Sequence, residues 1–151
     1  MIFRLEKSDI LEVKRILLYR IVGIIWVIFI LNFIAGKLYL YSLIWWFDMP
    51  MHFFGGIFLA FLCIWLFLKF NLIKYVKNRE TFLFTIIITV IFIGIFWELF
   101  EFGNSVFITF DKLNILDTLS DLFFDLSGGL FGSFYTLRKI QKFIVNKKIE
   151  V

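Results

Sequence analysis

The chain has 151 residues, 62% of them hydrophobic and 23 of them Phe, with a mean hydropathy of +0.93. Soluble domains average roughly 45–50% apolar residues, and a water-soluble fold of this size cannot hide the excess, so lipid is the expected solvent. The net charge of +4 does not signal nucleic acid, because the basic residues fall in blocks between apolar runs, and the single cysteine, Cys63, excludes an internal disulfide and reads as a packing thiol.

Residues 1–20 alternate charged and apolar side chains, with Ser8 or Asp9 as helix cap, and read as an interfacial helix feeding the first span. The first apolar run covers roughly 17–35. It is longer than the core of a signal peptide and no small-residue cleavage pattern follows, so it is expected to persist as a membrane helix. Residues 36–47 form a connector rich in Tyr39, Tyr41, Trp45 and Trp46, the composition of an interface belt. A second span over 49–70 follows Asp48, with Pro50 where a first helical turn tolerates it. The third span, 81–102, ends Trp97-Glu98-Leu99-Phe100-Glu101, where the helix dipole would disfavour both anions. A connector over 103–116 carries Asp111 and Lys112 as a solvated pair. The fourth span covers 117–137 and leads into a basic tail with Lys139, Lys142, Lys147 and Lys148, read as a surface helix. The expectation is one all-α domain over 1–151: a polytopic membrane protein with a four-transmembrane-helix bundle and interfacial N- and C-terminal segments.

Charge sorts by side. Every Lys and Arg except Lys37 and Lys112 falls in the N-terminal segment, the loop between spans two and three, or the tail. The positive-inside rule then predicts a plasma-membrane protein with both termini cytoplasmic, its basic residues serving as orientation signals and lipid-headgroup contacts. Seven of the 12 acids go the other way: Asp48, Glu98, Glu101, Asp111, Asp117, Asp121 and Asp125 fall at the opposite ends of spans two to four, together with the only histidine, His52.

Asp117, Asp121 and Asp125 stand at i, i+4 and i+8, so on a helix they drift only about 80° and run roughly 12 Å along the axis. Asp48 and His52 are i, i+4, and Glu98 and Glu101 are i, i+3, each pair on one face. Asp117 also suits a helix N-cap. Carboxylates about 5 Å apart repel by roughly 3 kcal/mol each pair at an effective dielectric of 20. Shared protons or a divalent metal ion would relieve this; oxygen donors favour Mg²⁺, Mn²⁺ or Ca²⁺, and His52 admits Zn²⁺ or Fe²⁺.

A local echo links two spans: Asp48-x₃-His52-x₂-Gly55-Gly56 matches Asp121-x₃-Asp125-x₂-Gly128-Gly129. Gly56-x₃-Ala60 and Gly128-x₃-Gly132 are small-residue faces that permit close approach, which predicts contact between spans two and four and puts His52 opposite Asp125.

The pieces Asp48-x₃-His52-Phe53-x-Gly55, Trp97-Glu98-x₂-Glu101 and Asp117-x₃-Asp121-x₃-Asp125-x₂-Gly128 resemble the YjdF-like family of small integral membrane proteins and, more distantly, the VanZ-like family. The resemblance implies a membrane fold over the last two-thirds of the chain. YjdF-like proteins generally have no assigned activity; VanZ-like proteins are associated with glycopeptide resistance, but Glu101 stands where those carry Gln, and that role is not carried over.

The leading functional expectation is a metal-dependent site at the outer leaflet acting on a lipid or lipid-linked phosphate. Asp48, His52, Asp117, Asp121 and Asp125 are the candidate metal donors, and Glu98 or Glu101 the general base. The alternatives are a cation- or proton-coupled transporter, which four short helices could form only as a homo-oligomer, and a non-catalytic membrane partner. A relay would need steps through the inner half, where only Thr85, Thr89, Ser133 and Thr136 are polar.

Overall fold

The computed structural model describes residues 7–72, 78–108 and 114–149, with side chains over 8–72, 78–104 and 114–139. It is all-helical: α1 (Lys7–Leu38), a single turn α2 (Leu40–Leu43), α3 (Asp48–Lys69), α4 (Arg79–Ile108) and α5 (Ile115–Ile149). Stretches of α1, α3 and α4, over Ser8–Leu38, Asp48–Lys69 and Arg79–Asn104, are long and apolar enough to cross a membrane. The first half of α5 is less apolar, since Asp117, Asp121, Asp125 and its glycines and serines interrupt the run.

The boundaries follow local chemistry and correct several expectations. Over 7–20, the described part of the N-terminal segment, the chain is continuous with the first span and forms no separate helix. Nothing between Lys7 and Leu38 breaks the hydrogen-bond ladder, and at 32 residues α1 runs roughly 48 Å, past a hydrocarbon core of about 30 Å. Ser8 and Asp9 lie inside its first turn. It ends where Tyr39 adopts left-handed φ 54°. α4 begins at Asn78, whose Oδ1 accepts from the Thr81 backbone N–H at 2.7 Å, an N-cap bond. α4 also continues past Glu101 to Ile108, so Glu98 and Glu101 stand above its last turn and escape most of the dipole penalty. Asp117 is not an N-cap: α5 starts two residues earlier, and Asp117 lies in its first turn. The basic tail continues α5 to Ile149, with side chains from Ile140 onward outside the described set, as are Lys74, Lys77, Asp111 and Lys112.

The closest packing is between α3 and α5, which run parallel. A Cβ on Gly56 would overlap the Asp125 carbonyl, and one on Gly128 would overlap the Phe53 carbonyl. Backbone meets backbone here because no side chain intervenes. Gly132 stands against Ala60, where an added Cβ would come 3.2 Å from that methyl. Gly129 and Gly94 let α4 close on the same junction, against Val90 and Leu122. Below it lie Ile57, Ala60, Ile64, Leu68, Phe82, Ile86, Val90 and Leu137, all buried, with Cys63 among them as an apolar filler.

This register sets a stability test. Gly56→Ala and Gly128→Ala should each destabilise the purified protein by about 1–3 kcal/mol or more, because the obstructing atoms are backbone. Gly23→Ala and Gly36→Ala, which meet nothing within 4 Å, should be neutral or stabilising by up to ~1 kcal/mol. Thermal unfolding in detergent reads the contrast; equal effects at the two pairs would contradict the α3–α5 contact.

Candidate functional site

The α3–α5 junction brings the two echoed motifs side by side. His52, one turn into α3, is 6% exposed. Its Nδ1 stands 3.4 Å from Asp125 Oδ2 on α5. Its Nε2 stands 3.7 Å from Asp48 Oδ2 and 3.9 Å from Asp121 Oδ1. Asp121 and Asp125 are buried, and Asp48 is about a third exposed. Three carboxylates from two helices thus surround one imidazole.

α4 adds the third side. Glu98 is buried and Glu101 is partly exposed, and donor atoms of His52, Glu98 and Glu101 lie within 4.8 Å of one another. Donor atoms of Asp48, His52 and Asp121 form a second such group sharing the histidine. Glu98 Oε1 is buried with no hydrogen-bond partner among the described residues. A carboxylate oxygen in that position is costly unless a cation or proton accompanies it. Asp117 is exposed, two turns above Asp125, and belongs to neither group.

Three contributors were not singled out from the sequence. Gly94 gives the Asp125 carboxylate its place: a Cβ there would come within 2.8 Å of Oδ2. Its signal was a lone glycine four residues before Glu98 on the same face. Asn32 and Tyr41 line a cavity of about 510 Å³ beside His52, Asp48, Glu101 and Asp125. Asn32 was legible as the one amide in the apolar run of α1. Tyr41 was hidden among belt aromatics; its hydroxyl donates to Asn32 Oδ1 at 2.9 Å, tying the α2 turn to α1. Burial, then the nearby charges of Asp48 and Glu101, push the Tyr41 phenol above its ordinary value of 10.0.

Long apolar helices around an inward-facing polar cluster define an integral membrane protein. A family model described as predicted membrane protein, DUF2238, matches residues 10–142, and the chain belongs to that family. No curated protein and no solved structure matches it.

Tyr41 gives a local test. A raised phenol value means its contribution to stability is full below pH 10 and falls as pH rises through the folded-state value. In an ultraviolet titration Tyr41→Phe should remove one tyrosine that ionises above its ordinary value, and at neutral pH it should cost about 1 kcal/mol from the lost hydrogen bond. An unchanged titration curve would contradict the placement of α2 over the cluster.

Proposed function

We propose that this protein is a four-span membrane enzyme that holds a divalent cation at the His52 cluster and acts on a lipid or lipid-linked phosphate at the extracytoplasmic face. The observation that carries this is the pair of distances from His52 Nε2 to Asp48 and Asp121, 3.7 and 3.9 Å. They are too long for hydrogen bonds. They suit donors sharing one cation, which stand roughly 3–4 Å apart for bonds of about 2.1 Å. The unpartnered Glu98 Oε1 supports the same reading, since it faces the group from α4 without a compensating donor.

The roles divide by geometry. Asp48, His52 and Asp121 are the direct donors, while Glu98 stands with Glu101 in the second group on the same histidine. Asp125, on the Nδ1 side, orients the imidazole and raises its basicity, as carboxylates behind metal-bound histidines do. Asp117 is exposed and stays outside the donor set. A cation held there would neutralise the cluster and supply Lewis-acid chemistry toward a phosphoryl oxygen; Glu101, on the cavity side, is placed to take the proton of an attacking water or hydroxyl.

In this reading α5 spans as the fourth helix, its low hydropathy reflecting carboxylates buried against protein and not exposed to lipid. Both termini are cytoplasmic, by the distribution of Lys and Arg. A transmembrane relay is disfavoured because three of the four inner-half hydroxyls are committed: Thr85, Thr89 and Ser133 donate to the Thr81, Thr85 and Gly129 carbonyls, and Thr136 Oγ1, without a partner among the described residues, is a single step.

Purified protein should bind Mn²⁺ in a calorimetric titration. Asp48→Ala, His52→Ala and Asp121→Ala should abolish binding, Asp125→Asn should weaken it about 10–100-fold, and Asp117→Ala should leave it unchanged. Absence of binding by the wild-type protein would overturn the metal reading. For orientation, a cysteine introduced at Asn104 should react with an impermeant maleimide on intact cells; reaction only after lysis would invert the topology.

A further inference from the structure

The cavity is not polar throughout. Beyond the acidic end it continues along Ile28 of α1, Phe58 and Leu59 of α3 and Ile93 of α4. Helical rise puts these side chains roughly 6–12 Å further into the span than Asn32, His52 and Glu101 on the same helices. The cavity therefore has a charged head end and an apolar stem parallel to the helix axes.

Its side wall is open. α1 packs on the bundle through buried Val13, Leu17 and Ile21 near one end and Ala35 near the other. Between Ile21 and Ala35 no residue of α1 is fully buried, and only Ile24, Ile28 and Leu31 are partly so, which leaves this stretch loosely covered along the stem. Among the described residues no substantial α1–α4 packing closes the gap. Ile93 and Trp97, which line the cavity from α4, are also 39% and 50% exposed on the outer surface. A cavity wall that is at once outer surface marks a lateral opening.

We infer that the site takes a single-chain lipid phosphate, an alkyl or isoprenyl monoester, which enters sideways between α1 and α4 with its chain along Ile28, Phe58, Leu59 and Ile93. This deepens the proposed function and rests on it for the phosphate, because a head end so rich in carboxylates admits an anion only through a bridging cation. The stem supplies the rest of the recognition. One file of apolar side chains on each flank accommodates one chain, and a cavity of about 510 Å³ is of ordinary small-ligand size, not that of a two-chain lipid.

The test compares hexadecyl phosphate, ethyl phosphate and dipalmitoyl phosphatidic acid by titration into the full-length protein with Mn²⁺ present. Hexadecyl phosphate should bind at least about tenfold more tightly than either of the others. Ile28→Trp, which fills the stem, should erase that advantage while leaving Mn²⁺ and ethyl phosphate binding unchanged. Ile25→Trp, on the outer face of the same helix, should preserve it. Equal affinity for the long and short esters, tighter binding of the two-chain lipid, or equal effects of the two tryptophan variants would overturn the inference. If the wild-type protein fails to bind Mn²⁺, the cation reading falls by itself. Hexadecylamine against ethylamine then reads the stem without a metal: the same chain-length advantage, lost in Ile28→Trp, upholds it, and no advantage overturns it.

Discussion

Two helix backbones touch where Gly56 and Gly128 leave no side chain between them, and the polar centre exists because of that contact. A helix pair separated by ordinary side chains stands about 8–10 Å apart between axes. At that spacing the short side chain of Asp125 would not reach an imidazole on α3. With a carbonyl lying against each glycine, His52 and Asp125 come within 3.4 Å and Asp48 and Asp121 converge on the same ring. The glycines are therefore part of the site, though none bears a functional group.

The same contact carries an electrostatic cost. Asp121, Asp125 and Glu98 are all buried around one histidine. Burying several carboxylates against each other is unfavourable unless positive charge or protons join them. One imidazolium cannot offset that many anions, and among the described residues no Lys or Arg lies in the cluster. In the proposed reading a divalent ion would supply the missing charge in the space that His52, Asp48 and Asp121 bound. Gly94 serves the same end from α4, leaving room for the Asp125 carboxylate without contributing chemistry.

Much of this was legible in the residues. The apolar runs set three helices, and the bounds of α3 agree with the expected span to within a residue or two. The repeated Asp-x₃-His/Asp-x₂-Gly-Gly pattern pointed to the α3–α5 junction because identical spacing on parallel helices brings like positions to one level. Less could be read where the signal is continuous rather than punctuated. Charges in the first turns of α1 and in the basic tail suggested breaks, but the helical ladder tolerates polar residues and neither helix ends there. Asp117 read as a ligand or as a helix N-cap. In the fold it is exposed in the first turn of α5 and belongs to neither donor group. Tyr41 and Asn32 could not be paired from sequence, since their meeting depends on the left-handed turn at Tyr39.

His52 is the only histidine in the chain, so its imidazole can be observed alone. Nitrogen NMR of histidine-labelled protein before and after Zn²⁺ addition is the most direct test of the account. It predicts that Nε2, between Asp48 and Asp121, shifts to a metal-bound position while Nδ1 keeps its proton toward Asp125. Two nitrogens that remain protonated and unmoved at saturating Zn²⁺ would contradict it, leaving His52 as a counter-ion locked among acids.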